Sequence, residues 1–80
     1  MNYEVYYQKK AEKWILANKK SAERFLSAFE EISKDIKGSF QIYDIVKLKG
    51  NSDFFRLRIG KYRAIFTIQN DELIILVINI

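Results

Sequence analysis

The stretch Asp53-Phe54-Phe55-Arg56-Leu57-Arg58-Ile59-Gly60-Lys61-Tyr62-Arg63-Ala64-Ile65-Phe66-Thr67-Ile68 decides how this chain folds. Two alternating runs flank Gly60-Lys61, and glycine at the first position of a two-residue connection suits a type II′ turn, because it reaches φ > 0 without a Cβ clash. The pattern predicts a β-hairpin in which Ile59 faces Tyr62, Arg58 faces Arg63, Leu57 faces Ala64 and Arg56 faces Ile65. Strand alternation then sets Phe55, Leu57, Ile59, Tyr62, Ala64 and Phe66 on a core face and Phe54, Arg56, Arg58, Arg63 and Ile65 on the other. Like charges opposite one another on antiparallel strands repel. The only acid in the hairpin is Asp53, at its far end, so phosphate is the natural partner for Arg56, Arg58 and Arg63.

Charge along the 80 residues sharpens this expectation. The net charge is +4, yet between Lys47 and Arg63 six basic residues stand against Asp53 alone, while the rest of the chain carries a net −1. A local excess of this kind points to an anionic partner. Taken singly, Lys47, Lys49 and Lys61 read as a solvated basic surface, whereas three arginines on one strand face favour a functional role.

The composition narrows the chemistry. Half the residues are hydrophobic and twelve are aromatic, enough for one small domain spanning 1–80 without staples. Cysteine and histidine are both missing, which removes a disulfide framework, a thiolate nucleophile and the usual zinc or copper ligands. No cofactor and no metal site are expected. The N-terminus lacks the pattern of a signal peptide, and the longest apolar run, Leu73 to Ile78, is too short to span a bilayer. A soluble cytoplasmic protein with no membrane partner is expected.

Outward from the hairpin, Tyr3 to Tyr7 alternates as a first strand does. Ala11, Trp14, Ile15 and Asn18 mark one face of a short helix. Phe25, Leu26, Phe29, Ile32 and Ile36 recur at spacings of three and four, predicting an amphipathic helix that starts between Lys19 and Ser21 and is closed by Gly38. Ser39 to Ser52 reads as an irregular or briefly extended connection ending in the loop 49–53. Asn70-Asp71 suits a second tight turn leading to a last strand from Glu72 to Ile80, in a register that sets Arg63 against Ile78, Ile65 against Leu76 and Thr67 against Ile74. That strand is apolar on both faces, and helices cover only one of them. Ile65, Ile74, Leu76 and Ile78 should therefore form an apolar partner surface beside the arginines.

The order strand, helix pair, three-stranded meander, together with Val46-Lys47-Leu48-Lys49-Gly50 and the hairpin string from Asp53 to Phe66, resembles the RelE/ParE superfamily of toxin–antitoxin toxins. The residues that carry the resemblance are Lys47, Leu48, Gly50, Phe55, Arg56, Leu57, Arg58, Gly60, Tyr62, Arg63 and Phe66. It implies an α+β fold of order β-α-α-β-β-β, two N-terminal helices on one face of an antiparallel sheet. It also implies a cognate antitoxin that wraps the toxin in a hetero-oligomer, with Ile65, Ile74, Leu76 and Ile78 as its docking patch.

RelE-like members enter the ribosomal A site and cleave mRNA without metal, the ribose 2′-hydroxyl attacking the adjacent phosphate; ParE-like members inhibit DNA gyrase. The resemblance favours the first, a ribosome-dependent endoribonuclease that inhibits translation, with Arg56, Arg58 and Arg63 as catalytic residues and Lys47, Lys49 and Lys61 on RNA. Arg56 and Arg58 stand where some relatives carry lysine. A guanidinium stays protonated at ordinary pH and is a poor proton acceptor, so their role is electrostatic. No titratable residue follows Glu72, where relatives continue into a segment with further catalytic groups. An inactive, antitoxin-binding form and a gyrase inhibitor are the alternatives.

Overall fold

The computed structural model describes residues 2–50 and 53–80. Five strands form one sheet: β1 (Glu4–Tyr7), β2 (Asp44–Lys47), β3 (Phe54–Ile59), β4 (Tyr62–Gln69) and β5 (Ile74–Asn79), in the spatial order β1-β5-β4-β3-β2. Three helices, α1 (Lys9–Ala17), α2 (Lys19–Lys34) and α3 (Ile36–Ile42), cover one face. The α+β class expected from the sequence holds. The order gains a third helix and a fifth strand, and the sheet is mixed, because β1 runs parallel to β5 while the other pairs are antiparallel.

The hairpin forms in the expected register, from Ile59↔Tyr62 through Arg58↔Arg63 to Phe54↔Thr67, with Gly60 at φ 61° in the turn. Its core face meets the helices. Leu57, Ala64 and Phe66 are fully buried with Ile75 and Val77 of β5 against Ala11, Phe25, Ala28, Phe29 and Ile32 of the helices. Phe29 is central, edge-on to Phe66 at 5.2 Å and to Tyr7 at 6.1 Å. Trp14 lies edge-on to Phe25 at 5.7 Å and to Tyr62 at 5.1 Å, which ties α1 to α2 and to the hairpin. Leu26, expected on the apolar stripe of α2, is instead 38 % exposed, and Ala22 and Ala28 complete the stripe.

Gly38 does not close α2, which ends at Lys34. Asp35 caps a new helix: its Oδ1 accepts the Gly38 N–H at 3.0 Å, and a side chain at Gly38 would press on that carboxylate. The expected irregular connection is therefore α3 followed by β2. Lys49 and Gly50 follow β2, with Gly50 at φ 93°; Asn51 and Ser52 of the expected loop lie outside the described residues.

The β4–β5 turn spans four residues, Asn70 to Leu73, rather than two, and Leu73 adopts a left-handed φ of 55°. The register accordingly moves by two: Thr67 faces Leu76, not Ile74, and Gln69 faces Ile74. A bulge then sets Ile65 against Asn79, not Leu76, so Arg63 lies beyond the last β4–β5 pair and does not face Ile78. Among the described residues no helix is long and apolar enough to cross a membrane.

Candidate functional site

The face of the sheet turned away from the helices is built from cross-strand rows, and each row follows from the register. The first runs Asp44, Arg58, Arg63 across β2, β3 and β4. The second runs Val46, Arg56, Ile65, continuing to Asn79 beside the bulged Ile78. The third runs Phe54, Thr67, Leu76, Tyr6, and the fourth Gln69, Ile74, Glu4. Side chains within a row sit ~5 Å apart from strand to strand. The face grades from cationic near the β3–β4 turn to apolar toward β1.

Arg58 is not left against Arg63 without relief. Its Nε lies 3.1 Å from Oδ2 of Asp44, both side chains being about half exposed. The acid that offsets the arginine pair thus comes from β2, a strand the sequence did not reveal. Arg56 differs again: flanked by Val46 and Ile65, it is half-buried, and its Nε is buried without a hydrogen-bond partner. A buried charged donor left unpaired is costly, typically ~1–3 kcal/mol or more.

The three lysines do not join this face. Lys47 pairs with Phe55, so it projects to the helix side, where it borders a cleft with Ile36 and Phe40. Lys49 follows β2 and is exposed. Lys61 occupies the hairpin turn with its Nζ 5.5 Å from the Tyr62 ring, and it faces Lys20 and Arg24 across a second cleft. The six expected cations therefore divide into an arginine face and separate lysine positions.

The apolar set is brought together. Ile74, Leu76 and Ile78 are half-buried on the open face, with Ile65 across the bulge. Sequence reasoning missed its extension: Tyr6 on β1, Phe54 on β3 and Val46 on β2 are all exposed on the same face. Phe54 was legible from the alternation of the hairpin. Tyr6 and Val46 needed the β1–β5 and β2–β3 pairings. Thr67, in the middle of the patch, is buried and satisfied, its hydroxyl donating to the Asp53 carbonyl at 2.9 Å.

Three of the five tyrosines, Tyr6, Tyr7 and Tyr43, are held in the neutral phenol form. The Tyr6 phenol hydrogen-bonds Glu4 at 3.2 Å, and that carboxylate raises its pKa. Tyr7, on the helix side, is pushed up to about 12 by burial and by the charge of Glu30. Tyr43 donates to Glu31, which likewise raises it. Tyr6 also stands on β1, separated from Arg56 by β5 and β4, roughly 14 Å at ordinary strand spacing. Among the described residues no three carboxylates gather where a metal ion could sit. The chemistry this face offers is charge stabilisation by guanidinium groups.

Comparison with known proteins agrees with this architecture. The family model for the ParE toxin of type II toxin–antitoxin systems, parDE, matches residues 2–80. Among solved structures, the fold is similar to a chain of the archaeal RelE–RelB complex from Pyrococcus horikoshii OT3, with a TM-score of 0.77 and 26% identity over 99% of this chain and 92% of that one. No curated protein matches. The matched family covers nearly the whole length, and the fold is similar to that of a chain solved in a RelE–RelB complex: the chain belongs to the ParE toxin family of type II toxin–antitoxin systems, within the RelE/ParE superfamily.

Proposed function

We propose that this toxin is a metal-independent, ribosome-dependent mRNA endoribonuclease that inhibits translation and is neutralised by a cognate antitoxin. The observation that carries the reading is the arginine face, where Arg56, with a buried, unpartnered Nε, lies in the row beside the cross-strand pair Arg58 and Arg63. In the proposed reaction a ribose 2′-oxygen bonds to the adjacent phosphorus as the P–O5′ bond breaks. Negative charge accumulates on the phosphoryl oxygens in between. Arg56 and Arg63 meet that charge with guanidinium donors, whose charge-assisted hydrogen bonds stabilise such a transition state. Arg58 contributes when phosphate displaces Asp44, an exchange favoured by the weakness of an exposed ion pair. Lys47, Lys49 and Lys61 act at a distance from the scissile phosphate, as contacts to ribosomal RNA.

The similarity to a toxin solved with RelB supports an antitoxin as the second partner. The patch of Ile65, Ile74, Leu76 and Ile78, widened by Tyr6, Phe54 and Val46, is where we place it. An antitoxin there lies beside the arginines and blocks RNA and ribosome together.

The test is cleavage of mRNA in programmed ribosomes by the purified chain and by Arg63→Ala. Cuts at the A site that vanish with the exposed Arg63 side chain, in a variant of unchanged circular dichroism, support the reading. Cuts that persist unchanged remove Arg63 from the mechanism. A second reading is favoured by the family model itself, which is that of ParE: a gyrase inhibitor that performs no chemistry. Expression that triggers a DNA-damage response while mRNA stays whole would select it.

A further inference from the structure

We propose a second phosphate-binding site for the same RNA strand, in the cleft between the N-terminal half of α2 and the β3–β4 turn; it rests on the RNA-directed reading above. Lys20 and Arg24, four residues apart and so on one face of α2, line this cleft with Lys61 from the turn, beside Ser21, Gly60 and Tyr62. Three cations converge there. Among the described residues none has a carboxylate within 4.0 Å, since the two ion pairs are Lys34 with Glu30 and Arg58 with Asp44. Glu23 borders the adjoining groove with Arg24 yet forms no ion pair with it.

The backbone adds to the same potential. The first turn of α2 contains no acid, and Asn18, at its N-cap, makes no side-chain cap, while its Nδ2 donates to the Trp14 carbonyl at 2.9 Å. Uncapped N–H groups and two leading lysines place positive charge where helices ordinarily carry acids. The cleft is also preorganised. The Arg24 Nη1 lies 4.0 Å from where a Cβ of Gly60 would stand, so the guanidinium rests against the turn. Beneath it, Tyr62 is braced by Trp14, and Lys61 lies over the Tyr62 ring.

Continuity with the arginine face identifies the occupant. Arg24, Ile59 and Gly60 border both this cleft and the adjoining groove, and that groove contains Arg58 and Asp44. Cationic groups therefore extend from Lys20, Arg24 and Lys61 around the hairpin tip to Arg58, the cross-strand neighbour of Arg63, with Glu23 and Asp44 on the groove between them. A single-stranded polyphosphate backbone matches such a path. One phosphate at the arginines and another in the cleft would fix the direction in which the strand crosses the sheet.

The experiment is fluorescence anisotropy of a labelled, 2′-O-methylated RNA octamer against the purified chain over a range of KCl, for wild type, Lys20→Gln/Arg24→Gln/Lys61→Gln and Arg63→Ala. All four side chains are exposed, and circular dichroism checks that each variant folds. We expect the triple variant to bind at least about tenfold more weakly at low salt and to lose about 0.7 from the slope of log K against log[salt], the contribution of one single-strand phosphate contact. Unchanged affinity and slope in the triple variant, with weakening by Arg63→Ala, overturns the cleft and spares the arginine face. Unchanged binding in both overturns the RNA reading as well. Weakening in the triple variant alone upholds the cleft and removes Arg63 from RNA binding.

Discussion

Asp44 Oδ2 lies 3.1 Å from Arg58 Nε, so an acid on the edge strand offsets the repulsion that the hairpin builds between Arg58 and Arg63. The pair is about half exposed, a setting in which such contacts contribute ~0–1 kcal/mol. Asp44→Asn should therefore change urea stability by less than about 1 kcal/mol while strengthening RNA binding severalfold, because Arg58 is released and a repelling charge is lost. An affinity that does not rise in anisotropy titrations would place Arg58 away from the phosphate.

Arg56 is where function and stability oppose one another. Its buried, unpartnered Nε between Val46 and Ile65 is a cost that an apolar side chain of similar length would not incur. Arg56→Met should leave the urea midpoint unchanged or higher and abolish RNA cleavage. A variant that unfolds more easily would show that the guanidinium stabilises the sheet.

On the apolar side of the open face, Leu76 sits between Thr67 and Tyr6. Leu76→Glu should weaken antitoxin binding by at least tenfold, since one buried leucine contributes ~1.5–3 kcal/mol to a hydrophobic contact. RNA binding should fall less than twofold, which calorimetry with antitoxin and anisotropy with RNA would separate.

These residues show where sequence is a sufficient guide and where it stops. A two-residue turn at Gly60 fixes the register of β3 and β4 locally, so alternation alone places Arg56, Arg58, Arg63 and Phe54 on one face. The β4–β5 turn holds four residues with Leu73 in a left-handed conformation, which leucine does not advertise, and the register shifts accordingly. Asp44–Lys47 is a four-residue strand whose identity depends on its partner β3. With β2 unseen, the partner of Arg58 and the direction of Lys47 were hidden too. Gly38 carries the signal of a helix end, yet the structure uses its missing side chain to admit the Asp35 cap. The Lys20 and Arg24 cleft depends on the packing of α2 on the hairpin tip, a contact between segments some 35 residues apart that periodicity does not encode.

Phe29 is fully buried between Tyr7 and Phe66. Phe29→Ala should cost about 3–5 kcal/mol in urea unfolding, a large share of what a domain of this size possesses. Phe29→Leu, which keeps most of the volume, should cost under half as much. Equal losses would mean that the cavity collapses.

The Tyr7 phenol, raised to about 12, gives the fold an alkaline limit. Its stabilising neutral form is common to both states below pH ~10. Above that the unfolded chain ionises first, so stability declines between pH ~10 and ~12. Allowing for partial solvent contact, the loss is about 1–2 kcal/mol. Tyr7→Phe should flatten that part of the pH profile of the thermal midpoint; an unaltered decline would assign it to other groups.

The parallel pairing of β1 with β5 joins Glu4–Tyr7 to Ile74–Val77, across some seventy residues of intervening chain. During synthesis the first strand has nothing to pair with until the last has left the exit tunnel. The open face cannot complete its rows, and Tyr6 cannot reach Leu76, before that moment. The surface proposed for the antitoxin is therefore a product of the whole fold and not of any local segment, because its rows close only when β5 joins β1 to β4.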